Sequence, residues 1–131
     1  MTVIKAATAL LPEGWAQDIC VTIGVDGTIT ALEPAPPDIT VDILLPAPSN
    51  VHSHAFQRAM AGLTETRGPS GRDSFWTWRQ LMFRFLDRLT PADVQAIAAQ
   101  VQVEMLEAGY AACGEFHYLH HQPGGSPYAN L

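Results

Sequence analysis

The chain has 131 residues, enough for one ordinary domain, and carries a formal net charge of −6 with 47% hydrophobic and 15% charged residues. That balance suits a globular protein with a real core. It argues against nucleic acid and anionic membrane surfaces as partners, because only seven scattered Lys and Arg residues are present and phosphate binding needs them clustered.

No segment reaches the ~18 consecutive apolar residues of a membrane-spanning helix. Met1 to Leu11 has one Lys and a short apolar stretch, but Pro12-Glu13-Gly14 interrupts it without a cleavage pattern, so a signal peptide is not expected. Cys20 and Cys113 lie far apart and form no CxxC motif, which fits reduced thiols in a cytoplasmic protein.

Residues 1 to 48 read as a small, turn-rich β unit. Ile19 to Ile23 is an expected strand. Asp26-Gly27, set between β-branched runs, predicts a hairpin, since glycine tolerates the positive φ of a tight turn. Pro34-Ala35-Pro36-Pro37 breaks the chain, and Val41 to Leu45 resumes it as an apolar strand. No chemically active residue types cluster here.

The apolar run Ile43-Leu44-Leu45 then meets two prolines and an abrupt His52-Ser53-His54. If Val51 to His54 is extended, side chains two apart point the same way, and both imidazoles could reach one metal ion over the strand end. The pair alone is weak, because two of five histidines can fall at this spacing by chance. Its setting at the end of an apolar strand strengthens it.

Gly68 to Asp73 is a loop by composition. Phe75, Trp78, Leu81, Met82, Phe85 and Leu89 recur at helical spacing and predict an amphipathic helix over 74 to 88, capped by Ser74 or Asp73, with this stripe mostly in the core. Arg79 lies off the stripe. Thr90-Pro91-Ala92-Asp93 supplies a cap, a first-turn proline and an acidic residue for a second helix. Val94, Ile97, Ala98, Val101, Met105 and Ala108 form its apolar face, and Gly109 ends it. Glu104 and Glu107 fall off that face and read as solvated. Tyr110 to Tyr118 reads as a buried strand ending in polar groups, so strand, helices and strand make one parallel βαβ unit. The polar clusters His52 to Gln57 and His117 to His121 then both lie at carboxyl ends of strands, where α/β folds gather function. His120 and His121 point opposite ways on any extended segment and read as loop residues. His117 is more readily a hydrogen-bonded histidine than a ligand. Gln122 to Leu131 is a Gly/Pro-rich loop.

Three ordered blocks, Asn50 to Gly62, Asp73 to Arg79 and Glu115 to His121, resemble the amidohydrolase superfamily and, within it, the formimidoylglutamate deiminases of histidine degradation. The resemblance runs from Leu44 onward and implies an α/β fold: the N-terminal part of a metal-dependent (β/α)8 barrel, its first βαβ unit, over residues 49–131. Part of a flanking β-sandwich-like domain precedes it over 1–48. It implies hydrolysis of N-formimino-L-glutamate to N-formyl-L-glutamate and ammonia, with one zinc ion held partly by His52 and His54 and activating water. Gln57, Arg79 and Tyr118 match the family's substrate-contacting residues. A barrel needs ~250 residues, so the chain reads as an N-terminal fragment. Its remaining ligands and its acid and base groups are expected in later strands, which leaves no catalytic residue here and the chain alone inactive. A homodimer is left open for the full-length parent. Two alternatives remain: another amidohydrolase deaminase or chlorohydrolase, because His-x-His does not choose a substrate, or a non-catalytic fragment with structural histidines.

Overall fold

The structure is a computed structural model and describes residues 1–68 and 71–129. Pro69 and Ser70 of the expected loop, and Asn130 and Leu131 of the C-terminal one, lie outside the described residues. The chain divides into two compact units, Met1–Ala47 and Pro48–Leu131.

The first unit is a four-stranded mixed sheet of order β3-β2-β1-β4. β1 (Thr2–Leu11) and β2 (Gly14–Ile23) form a long antiparallel pair, in register from Thr2↔Ile23 to Leu11↔Gly14. The expected strand at Ile19 to Ile23 therefore begins five residues earlier, at Gly14, and β1 has no counterpart in the sequence reading. The reason lies in its burial: Val3, Ala6 and Ala9 are buried, a spacing of three rather than two. Asp18, in β2, has φ +53°, a left-handed backbone inside a strand, and its carboxylate meets the Lys5 ammonium at 2.9 Å.

The Asp26-Gly27 turn joins β2 to β3 (Ile29–Ala31), as expected. Gly27 has φ +83°, and the Asp26 carboxylate accepts from both the amide and the hydroxyl of Thr28. After the proline-rich stretch, β4 (Ile39–Leu44) lies parallel to β1. A reciprocal clamp starts this pairing: the Asp38 amide donates to the Val3 carbonyl at 2.9 Å, while the Val3 amide donates to Asp38 Oδ2 at 2.8 Å.

In the second unit, β5 (Ser49–Ser53) leads into a 3-10 helix (Ala55–Met60), then α1 (Phe75–Leu86), α2 (Pro91–Glu107) and β6 (Ala112–Glu115). β5 and β6 pair in parallel, so the βαβ topology holds. The second strand is shorter than expected and exposed over Ala112 to Gly114, where the sequence had suggested a buried run. The core is Phe56, Met60, Met82 and Leu89, packed about by Trp78, Phe85, Leu86, Val94, Ile97 and Leu119. The aromatic stripe of α1 thus joins the core from Trp78 onward but not at its first residue. Phe75 is 61% exposed.

The caps follow the sequence. At the start of α1 the Ser74 amide donates to Thr77 Oγ1 at 2.9 Å. For α2, Thr90 and Asp93 make the reciprocal capping box, and Gly109 follows the C-cap at φ +88°. Glu104 is not merely solvated. Arg58, in the 3-10 helix, donates to both its carboxylate oxygens at 2.8 and 2.9 Å, and Gln100 adds a third bond at 3.2 Å. No helix among the described residues is long and apolar enough to cross a membrane.

Candidate metal centre

The His-x-His pair sits where β5 gives way to the 3-10 helix. His52 is in the strand and His54 is the residue just past it, with φ −131° and ψ 80°. The extended stretch therefore stops at Ser53, one residue short of the expected His54, yet the two rings still converge. Their Nε2 atoms lie 3.0 Å apart, with the ring planes at 76°. Upstream, the His52 amide donates to Asn50 Oδ1 at 3.1 Å, which steadies the strand before the pair.

The second ring nitrogen of His54 faces the Phe116 carbonyl at 3.0 Å. A carbonyl can only accept, so a neutral His54 carries its proton on Nδ1 and turns its Nε2 lone pair toward His52 Nε2. This is how metal-binding histidines are oriented from behind. Two nitrogens on one tetrahedral zinc lie roughly 3.3 Å apart, close to the spacing found. The pair fits a divalent cation as two ligands of a larger set. Among the described residues no group of three or more His, Cys, Asp and Glu side chains could hold a metal ion.

Tyr118 joins this cluster. Its ring meets His54 at 4.8 Å, Phe116 at 4.7 Å and Phe56 at 5.9 Å between centroids. Its φ of +65° is an uncommon conformation for a bulky residue. Gln57 stands on the 3-10 helix, half-buried, with its Nε2 4.0 Å from Met82 Sδ. Arg79 does not share these contacts: it is exposed on α1 and its guanidinium lies 4.5 Å over the Phe83 ring. The structure thus brings Tyr118 to the histidines, sets Gln57 one turn beyond them, and records Arg79 with Phe83 instead.

His117 stands near a different partner, with Nδ1 3.9 Å from Glu115 Oε1. It also lines, with Pro91, Val94, Leu119 and Tyr128, an open cleft of about 500 Å3 to which neither His52 nor His54 contributes. His120 and His121 lie in the loop that follows. Glu115 itself went unassigned in the sequence, although it opens one of the resembling blocks. Its Oε1 accepts from the Ala55 amide at 2.8 Å, sixty residues away in the chain.

Residues 1–37 match the family model described as formimidoylglutamate deiminase HutF, N-terminal domain. Over 99% of its length the chain is 48% identical to formimidoylglutamate deiminase from Pseudomonas aeruginosa. The resemblance to the formimidoylglutamate deiminases is borne out. The crystal structure of an amidohydrolase from Brucella melitensis covers the whole chain with a TM-score of 0.89 at 47% identity. The chain spans 29% of the length of the Pseudomonas deiminase and 30% of the Brucella amidohydrolase chain. The deiminase resemblance extends through both compact units, and the mixed α/β architecture agrees with the solved amidohydrolase.

Proposed function

We propose that this sequence serves as the N-terminal part of a metal-dependent deiminase that converts N-formimino-L-glutamate and water into N-formyl-L-glutamate and ammonia. The observation that carries the proposal is the convergence of His52 Nε2 and His54 Nε2 at the carboxyl ends of parallel strands, with the Tyr118 ring against them. The 48% identity to a formimidoylglutamate deiminase supports this substrate over those of other amidohydrolases, which His-x-His does not distinguish.

In this reading Met1–Ala47 belongs to a flanking β domain and Pro48–Leu131 opens a (β/α)8 barrel, β5 and β6 being its first strands. His52 and His54 hold one zinc ion, which supplies Lewis acidity and lowers the pKa of water at the site. The Phe116 carbonyl keeps the His54 lone pair free for that ion. Gln57 offers both a donor and an acceptor to the formimino head, and Tyr118 a hydroxyl. Arg79 grips a substrate carboxylate through its planar fork, which Lys cannot imitate. The groups that move protons to the departing ammonia lie on strands beyond this chain. Unpaired Cys20 and Cys113 suit the reducing cytoplasm.

The test is ammonia release from N-formimino-L-glutamate by a full-length protein carrying this sequence. Turnover is expected with stoichiometric zinc, and His52→Ala should lose the metal. Arg79→Lys should keep the zinc while lowering kcat/KM by ~1–3 kcal/mol, the range for losing a charge-assisted hydrogen bond. Unchanged kcat/KM in Arg79→Lys removes that residue from the carboxylate site, and turnover of a purine or cytosine instead would overturn the substrate. The same protein tests the second reading, structural histidines without catalysis: no bound divalent metal together with no turnover would establish it.

A further inference from the structure

The last rung of the parallel β5–β6 ladder is the Phe116 amide donating to the Ser53 carbonyl at 2.9 Å, beside the Ser53↔Glu115 pair. Beyond it the first strand leaves the sheet at His54. Two contacts govern that departure, and both come from the end of β6. The Phe116 carbonyl holds the His54 ring at Nδ1, and Glu115 Oε1 holds the Ala55 amide at 2.8 Å. Ala55 is only 4% exposed, so water has little access to this amide, and it belongs to the first turn of a helix, where no intrahelical carbonyl can serve it. A buried amide left without a partner is unfavourable enough to shift the φ and ψ of the preceding residue. That residue is His54.

We infer that Glu115 is a positioning residue for the histidine pair. By holding the Ala55 amide it fixes the turn that aims His54 Nε2 at His52 Nε2, and so sets the affinity of the pair for a divalent cation. The inference rests on the proposal that the pair binds such a cation. Glu115 acts through the backbone, by way of the Ala55 amide. What the position needs is an oxygen that accepts at that reach, not a negative charge.

The experiment compares Glu115→Ala, Glu115→Asp and Glu115→Gln in a full-length protein carrying this sequence. Affinity for Zn2+ is read by competition with a chromophoric chelator. The visible spectrum of the Co2+-loaded protein reports ligand geometry, and melting temperatures are taken with and without metal. Glu115→Ala should weaken Zn2+ binding roughly 10–100-fold, the usual effect of removing a group that orients a metal ligand, and should alter the Co2+ spectrum. Asp, one methylene too short to reach, should do the same. Gln, whose amide oxygen still accepts, should bind Zn2+ like the wild type and preserve the spectrum. If Glu115→Ala fails to fold, Asp and Gln still carry the comparison. A lower melting temperature with Zn2+ affinity and spectrum unchanged would make Glu115 a structural cap only and overturn the inference. Equal losses in Gln and Ala would overturn it too, by making the charge rather than the acceptor decisive. Wild-type protein that binds no divalent cation would instead refute the metal reading of the pair, and this inference with it.

Discussion

The two compact units fill their interiors with different materials. The buried residues of the first are Val3, Ala6, Ala9, Cys20 and Val21, small side chains on two long strands paired along their length except at Asp18. Those of the second are Phe56, Met60, Met82 and Leu89, large side chains drawn from a 3-10 helix, α1 and the segment between the helices, with Ala55 the one small residue beside them. The first unit is held chiefly by its backbone ladder, while the second depends on side-chain volume. Its own sheet has only two strands, and such a pair is marginal by itself. The five histidines all lie in the second unit, and the His52–His54 pair stands where β5 ends.

Emptying the second core should break this arrangement most severely. Met60 is 2% exposed, and Met60→Ala should cost ~2–5 kcal/mol of stability, from lost burial plus the cavity left behind. Urea unfolding followed by the fluorescence of Trp76 and Trp78 measures it. A loss well below that range would mean the core closes around the gap. The first unit should fail the opposite way, by overfilling. Ala6 is fully buried, and Ala6→Leu should cost ~1–3 kcal/mol, whereas Ala6→Gly should leave the sheet folded. Hydrogen exchange of the β1 amides separates these outcomes. Greater stability in Ala6→Leu would show unfilled space beside the sheet.

The smallest effect concerns the ion pair that ties the 3-10 helix to α2. The hydrogen bond from Arg58 holds the Glu104 carboxyl below its ordinary range, with Gln100 assisting, and Glu104 in turn raises the Arg58 guanidinium. A carboxylate depressed in the folded state stabilises fully at neutral pH and loses its contribution as pH falls through that depressed value. Arg58→Met should therefore lower the melting temperature slightly at pH 7 and by less as Glu104 becomes protonated. High salt should shrink the difference as well, since both side chains are partly exposed. A difference independent of both pH and salt would show that packing of the Arg58 stem, not its charge, matters.

What could be read in advance follows the range of the interactions. The start of α2 is written in four consecutive residues, Thr90 to Asp93, and its end in Gly109, so its bounds were legible. The Asp26-Gly27 hairpin is equally local, and the spacing of His52 and His54 conveyed their convergence. β1 was not legible, because the distortion at Asp18 accompanies a burial pattern that departs from the alternation by which strands are recognised. The Arg58–Glu104 fork joins residues 46 positions apart, and the Glu115–Ala55 bond spans 60. No local spacing reports such pairs. The aromatic stripe of α1 misled at Phe75 for a related reason, since periodicity gives a helix an apolar face without saying how far along the helix that face finds a partner.

The span of the Phe116–His54 and Ala55–Glu115 contacts also orders events in time. Closing a loop of 60 residues costs roughly 3–4 kcal/mol of chain entropy. α2 can form from neighbours within a turn, but the carbonyl that fixes the His54 tautomer reaches it only after both helices have been made and β6 has docked. On the ribosome, then, the histidines emerge early and wait through sixty residues of synthesis without their orienting partner. In the finished molecule the same contacts should be the first to open when β6 frays. On the proposed metal reading, Zn2+ affinity would then fall before helical content does, and chelator would strip the pair at denaturant concentrations that leave α2 intact.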